Sequence, residues 1–471
     1  MARSSNRKNS RLVSIILILT VVLIGLLTAV FIADGIANSQ SSTPSSSLLE
    51  SSSSIATSES TTVITESPVV RESSFTLSAV GDMLMHIPVI NTGYYSNTGE
   101  YDFNTIFSYF SSYISAADYA VGNLETTLAG LGNGYPYLGY PQFNCPDAIV
   151  TGMKDAGFDG ILTANNHTYD TRAIGLMRTQ KIIREAGLSK LGTKEAADDP
   201  NYMVVERNGI RLGLACYTYE AHPITEDNPT GKYPFEQKAL NGIPVNSKDA
   251  PYINSFDYHY LDEFYAEMQA NIEATKEEGA DAFVLFIHWG NEYQITQNAT
   301  QSAIAQDLCD LGVDVIIGGH PHVVQPVELL TSTKDEAHKT VCLYSMGNAV
   351  SNQRRQNMNL NTGHTEDGVL FSVTFTRYSD GTVILEKADL LPTWVNLRTN
   401  PTTGRREYNI LPLDKELPDW KAQLGLTNTT LASALASYDR TMSIVGDGMT
   451  QVNTYLAEHT ALVEQLLDVR S

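Results

Sequence analysis

Apolar and polar positions divide this chain into three textures. Leu12 to Ala33 is an uninterrupted run of 22 residues without a charge. As a helix rising 1.5 Å per residue it would span about 33 Å, enough to cross a bilayer core. Residues 34–74 are rich in Ser and Thr and lack the aliphatic and aromatic density that a core requires, which predicts a disordered stalk. From Phe75 onward, short β-branched or apolar runs alternate with longer amphipathic stretches. Phe75–Val80, Tyr119–Val121, Gly160–Thr163, Ala282–Ile287, Val313–Ile317, Val341–Ser345 and Val369–Thr376 read as strands. Ala282–Ile287 and Val313–Ile317 are almost continuously apolar, the mark of strands buried on both faces. Tyr202–Val205 and Arg211–Tyr217 flank Arg-Asn-Gly, a hairpin signal.

Helical spacing appears around 146–158 and in Arg178–Ala186, Tyr260–Glu278 and Thr300–Leu311. This alternation predicts an α/β domain with a partly parallel sheet covered by helices. The segment from His222 to Asp257 is rich in Pro, Asn and Gly and reads as an insertion, a candidate lid or binding loop. From about Leu413 the pattern is helical. The expected organisation is a basic tail (1–11), an anchor (12–33), a stalk (34–74), a globular domain (75–395) and a helical extension (396–471).

Charge sets the orientation. Arg3, Arg7, Lys8 and Arg11 precede the apolar run, so the N-terminus is expected in the cytoplasm and the rest outside, as a single-pass cell-membrane protein. A cleaved signal peptide, cut near Gly35-Ile36-Ala37, is the competing reading. The run is longer than the roughly 7–15 residues of a signal core, which favours an uncleaved anchor. The net charge is −22, or −26 without the four basic tail residues. That argues against nucleic acid as a partner and requires cations to mediate contact with any polyanion. Cys145, Cys216, Cys309 and Cys342 are far apart and form no metal-binding spacing, so free buried thiols are expected.

The candidate chemistry lies just beyond the strand candidates. Gly81-Asp82 is followed by His86, and Gly122-Asn123-Leu124-Glu125 ends the next run. Asn165-Asn166-His167 is followed by Asp170, and His288-Trp289-Gly290 by Glu292. Gly318-Gly319-His320-Pro321-His322 and Gly347-Asn348 close the series. Individually these read equally well as helix caps, Asx turns or solvated loop residues. Their shared position is the informative feature, because α/β sheets bind ligands beyond the carboxyl ends of their strands. Carboxylate, imidazole and amide oxygen together form a donor set for Mn, Fe or Zn.

The ordered motifs AVGDMLMH, VGNLETTLAG, NNHTYDTRAIGLMRT, FIHWGNEY, GGHPHVVQPVE and LYSMGNAV together resemble the CapA/PgsA-type bacterial capsule synthesis proteins, over about Phe75 to Leu391. The resemblance implies a calcineurin-like metallophosphoesterase fold, a four-layer α/β/β/α sandwich. It implies one or two divalent metals on Asp82, Glu125, Asn166, His288, His320 and His322, with His167 assisting the leaving group. Leu84 stands where a second ligand of the first motif belongs, and Asn123 stands where a bridging acid is expected. His86, Asn123, Asn165, Asp170, Glu292 and Asn348 are therefore supporting candidates. The implied role is in poly-γ-glutamate capsule synthesis or export, beside membrane synthase or export subunits and an anionic envelope polymer. A free-standing surface phosphoesterase or amidase and a non-catalytic binding domain are the alternatives.

Overall fold

A computed structural model describes residues 69–222, 237–360, 362–417 and 419–470. The basic tail, the apolar run 12–33, nearly all of the stalk and residues 223–236 of the expected insertion lie outside the described residues. Among the described residues no helix is long and apolar enough to cross a membrane.

Two mixed sheets carry the architecture. The first runs in the order Arg406–Pro412, Val383–Thr399, Asp367–Tyr378, Arg71–Met83, Tyr119–Leu124, Gly160–Leu162, Ser189–Leu191, with Asn348–Val350 also paired to Arg71–Met83. The second runs Ser255–Phe256, Ile210–Tyr219, Ala282–His288, Val315–Gly319, Lys339–Leu343, Val327–Thr331, with Tyr202–Arg207 forming the predicted hairpin on Ile210–Tyr219. In the first sheet Arg71–Met83 through Ser189–Leu191 are parallel and the other side is antiparallel, and in the second Ser255–Phe256 through Lys339–Leu343 are parallel, with Val327–Thr331 and Tyr202–Arg207 antiparallel.

Side-chain alternation explains the layering. In Arg71–Met83 the residues Phe75, Leu77 and Ala79 face the other sheet, while Val80 and Met83 face helices. In Ala282–His288, Val284 and Phe286 point between the sheets, and Phe283, Leu285 and Ile287 point outward. The outward face of the first sheet is covered by Ala148–Ala156 and shorter helices, and that of the second by Leu261–Glu277 and Ala299–Leu311. The expected order of two helical layers around two sheets is therefore present.

The termini of these elements follow local chemistry. Asn298 and Gln301 form a reciprocal capping box that starts Ala299–Leu311, and Gly312 at φ 97° ends it. All four cysteines are free and buried. The described part of the insertion is built in rather than hanging free. Ser255–Phe256 pairs in parallel with Ile210–Tyr219, and Leu240, Ile243 and Val245 pack with Tyr169 and Leu176.

The expected domain boundary at 395 falls inside a strand. Val383–Thr399 and Arg406–Pro412 complete the first sheet, so residues 396–412 are strand and turn rather than helix. Exposed Lys387 and Asp389 and half-buried Leu390 and Leu391 break the simple alternation that would have marked the longer strand. The helix Asn428–Arg470 then lies along the open flank of the sandwich. Val445, Met449, Val452 and Leu456 enter the inter-sheet core, and Arg440 clamps the buried Asp367 through both carboxylate oxygens at 2.6 and 2.7 Å. Val452 is fully buried, so Val452→Asp places an unpaired charge in that core. A loss of about 3–5 kcal/mol is expected by urea unfolding. An unchanged midpoint would show that the helix is not part of the domain's core.

Candidate metal centre

The parallel strands of both sheets end at one place. Asp82 leaves the first strand with its Cα paired to Asn123 on one side and Asn348 on the other. Gly81 permits this approach, since a Cβ there would lie 2.0 Å from the Gly347 carbonyl oxygen. Asp82 Oδ1 accepts from Asn123 Nδ2 at 2.8 Å. Its Oδ2 accepts from the His320 backbone N–H at 3.2 Å and from His322 Nδ1 at 3.0 Å. One carboxylate therefore joins the two sheets and orients His322 so that Nε2 faces the site.

The His-Pro-His turn is strained. His320 has φ 96° and His322 φ 57°, values that non-glycine residues rarely adopt and that are retained where surrounding structure imposes them. Asn348 contributes to that structure by donating from Nδ2 to the His322 carbonyl at 3.2 Å and the Thr365 carbonyl at 2.9 Å.

Glu125 lies at the centre. It is fully buried, and among the described residues neither carboxylate oxygen has a partner within hydrogen-bond distance. His288 Nε2 lies 3.6 Å and His322 Nε2 3.9 Å from its Oε1. Two potential ligand triads share it, Asp82–Glu125–His288 and Glu125–His320–His322, with the ligand atoms of each within 4.8 Å of one another. Asn166 Oδ1 stands 2.9 Å from His288 Nε2. A buried carboxylate without donors costs several kcal/mol unless a positive charge accompanies it. His320 Nδ1 is a further buried atom without a partner. These orphaned atoms and the mixed carboxylate and imidazole donors fit a divalent cation, and two triads with a shared acid fit a pair.

The electrostatics point the same way. Burial would raise Glu125, but the surrounding imidazoles, His322 first, hold it below the usual carboxylate range. Burial would lower His322, yet Glu125 and Asp82 lift it to about 9. Burial, reinforced by the His288 and His322 charges, pushes His320 well down.

His167 sits beside this cluster with a different partner. Its Nδ1 donates to Asp170 Oδ2 at 2.7 Å, and that oxygen also accepts from the Phe143 backbone N–H at 2.6 Å. Nε2 is thereby left to face the site. Burial opposes protonation, and Asp170 more than offsets it, so His167 lies above its ordinary value. Asn165 supports the turn, donating from Nδ2 to Asn123 Oδ1 and accepting from the His167 N–H.

Two supporting candidates belong to neither triad. His86 is not brought into either triad. Its Nδ1 lies 3.3 Å from both the Leu84 carbonyl and the Asn352 N–H, because the chain turns into helix Ile87–Gly93 directly after it. Glu292 is exposed. Residues that the motifs did not mark also contribute. The Tyr219 ring packs on His320 at 4.7 Å and stacks beside His288 at 6.5 Å, and Asn241 Nδ2 comes within 3.5 Å of His167 Nδ1 from the insertion. Only the position of Tyr219 at a strand end could have signalled it; nothing marks Asn241. A second grouping, Glu220–His222–Asp257, is neighbouring and behaves as an ion pair, with His222 raised to about 9 against burial by the two carboxylates.

Comparison with known proteins follows the same residues. The chain is 27% identical over 322 residues to the capsule biosynthesis protein CapA of Bacillus anthracis, covering 67% of each chain. It is 28% identical over 295 residues to the PGA biosynthesis protein CapA of Bacillus subtilis strain 168, covering 61% of this chain and 67% of the relative. A Staphylococcus aureus structure provisionally titled a 5'-nucleotidase, in complex with alpha-ketoglutarate, aligns at a TM-score of 0.38 and 14% identity over 68% of this chain and 54% of its own. Likeness at that level bears on neither substrate nor chemistry. The model for bacterial capsule synthesis protein PGA_cap matches residues 76–353, more than half of the chain and the span from Asp82 to Asn348 that builds the centre. The chain therefore belongs to the bacterial capsule synthesis protein PGA_cap family.

Proposed function

We propose that this chain is a membrane-anchored, extracellular component of capsule polymer synthesis or export, of the poly-γ-glutamate type, with a metal-dependent hydrolytic centre of the calcineurin-like metallophosphoesterase kind. The observation that carries the catalytic part is the fully buried, unpartnered Glu125 shared by two ligand triads beside the His167–Asp170 pair. Family membership and the printed names of its Bacillus relatives support the capsule part. Residues 12–33 would supply the anchor, and membrane synthase or export subunits would be the neighbours.

Asp82, Glu125, Asn166, His288, His320 and His322 would hold one or two cations of Mn, Fe or Zn type. Such a cation supplies positive charge that stabilises the negative charge developing on an attacked phosphoryl or carbonyl group. The chain's own residues do the rest. Asp82 fixes the His320–His322 turn, and Asn166 Oδ1 and His288 Nε2, 2.9 Å apart, stand side by side as donor atoms. Asp170 accepts from Nδ1 and favours the protonated form of His167, whose Nε2 would deliver a proton to the departing oxygen or nitrogen. Tyr219 and Phe143 pack around the imidazoles and limit water.

The test is replacement of the chromosomal copy by His320→Ala in the producing bacterium. Surface polymer should fall markedly in yield or change in chain length while the anchored protein remains at normal level. Unchanged polymer would favour a free-standing surface hydrolase acting on another substrate.

A further inference from the structure

An open pocket of about 770 Å³ lies between the edge strand Arg406–Pro412, the helix Ile87–Gly93 and residues 352–357. It shares no residue with the metal-centre triads. Its size is that of a ligand site rather than a packing defect. Its lining is unusual for this molecule. The chain has 53 acidic and 31 basic residues, yet the pocket is lined by three arginines and no acid.

Two of these guanidinium groups are held in place by the fold. Arg354 is 8% exposed, donates to the Val395 carbonyl at 2.7 Å and pairs with the buried Glu366 carboxylate at 3.6 Å, so it serves the pocket chiefly as a fixed donor. Arg405 donates to the Thr92 and Tyr94 carbonyls at 2.9 and 2.7 Å and lies 3.9 Å over the Tyr95 ring. Cations fixed in this way lose little freedom when they bind an anion. The third, Arg406, is exposed and has no ion pair among the described residues. The rest of the wall includes the side-chain amides of Asn91 and Gln356, while the Asn352 amide oxygen is taken up by Asn357 Nδ2 at 3.0 Å and the Tyr408 hydroxyl at 2.6 Å. Amides both donate and accept, whereas guanidinium groups only donate.

We propose that this pocket binds a segment of an acidic polyamide, with the arginines on its carboxylates and the side-chain amides on its backbone amides. A phosphodiester chain offers acceptors alone and would leave the acceptor oxygens of the wall amides unused. The identification of the polyamide as a γ-linked glutamate chain rests on the capsule reading above. The pocket also adjoins the metal centre. Asn352 in its wall contacts His86, whose ring packs against Phe143 at 5.1 Å, and Phe143 packs against His167 at 4.7 Å. Two edge-to-face ring contacts thus link the pocket wall to the proton donor. Arg354, Arg405 and Arg406 lie beyond the family-matched residues 76–353.

The experiment is fluorescence anisotropy with the full-length chain in detergent and a labelled γ-linked oligoglutamate, with a glycerol-phosphate polymer as competitor. Wild type and His320→Ala should bind alike, and Arg406→Glu should bind at least about tenfold more weakly with unchanged melting temperature. Arg406→Gln, which removes only the charge, should give a smaller loss and serves if the reversed charge disturbs folding. Binding lost in His320→Ala and kept in Arg406→Glu would place the polymer at the metal centre and overturn the pocket, leaving the capsule reading intact. Equal competition by the glycerol-phosphate polymer, or no binding by wild type, would also overturn the pocket. The polymer yield of the His320→Ala strain judges the capsule reading separately.

Discussion

Glu125→Gln should strip the protein of tightly bound divalent metal, weakening affinity by about 100-fold or more, since even removing a group that merely orients a ligand costs 10–100-fold. Glu125 is the one acid common to both triads, it is fully buried, and among the described residues its two oxygens have no partner within hydrogen-bond distance. Glutamine preserves shape and removes the charge, so any loss reports electrostatics rather than packing. Metal content after dialysis is the direct measurement. Melting supplies the second, because a ligand that binds only the folded state raises its stability. Metal should raise the melting temperature of wild type and leave Glu125→Gln unmoved. Glu458→Gln, on an exposed acid of the helix Asn428–Arg470 that belongs to neither triad, should behave as wild type. Metal uptake should also depend on pH with a definite sign. His322 stands at about 9 in the metal-free protein, so a cation must displace its proton. Affinity should therefore climb as pH rises towards 9, with protons released on binding. If Glu125→Gln binds metal normally, the shared-acid centre is wrong.

His167→Ala should reduce hydrolysis of a phosphodiester or γ-glutamyl amide substrate by about 10²–10⁴-fold while metal content stays at the wild-type level. The separation follows from geometry, because His167 belongs to neither triad and its Nδ1 is spent on Asp170. Asp170→Asn should have a smaller effect on rate and a diagnostic one on pH. Asp170 holds His167 above its ordinary value, so its neutralisation should move the alkaline limb of the pH–rate profile downward. A merely structural Asp170 would lower stability and leave the limb in place. Loss of metal in His167→Ala would instead make His167 a ligand.

Several parts of this site were legible in advance because their signals are local. Strands buried on both faces are near-continuous apolar runs, and the residues after them must turn. The glycines before Asp82 and His320 announce those turns, as does Pro321. Asp82, Glu125, Asn166, His288, His320 and His322 could therefore be collected as strand-end residues. His86 and Glu292 were collected by the same proximity and belong to neither triad. Proximity along the chain does not say which way a side chain leaves a turn. His86 is captured by the Asn352 backbone, which is 266 residues away.

The long strand Val383–Thr399 and its partner Arg406–Pro412 were less visible. Strands near the edge of a sheet mix exposed charges with buried positions, and the pairing that stabilises them lies in other strands. Asn241 and Tyr219 reach the imidazoles through contacts that have no sequence period at all.

What the amino-acid sequence determined by itself is the order of the central strands and their helices, the class of donor atoms, and their delivery to strand ends. These depend on side-chain periodicity and turn chemistry within a few residues. The tertiary structure alone decided which donors meet. It made Glu125 common to two triads, turned His86 away, closed the sandwich with Asn428–Arg470, and gathered arginines from 354 to 406 around one pocket. The physical reason is that a buried charge or a cationic pocket is defined by what surrounds it, and those surroundings come from segments hundreds of residues apart.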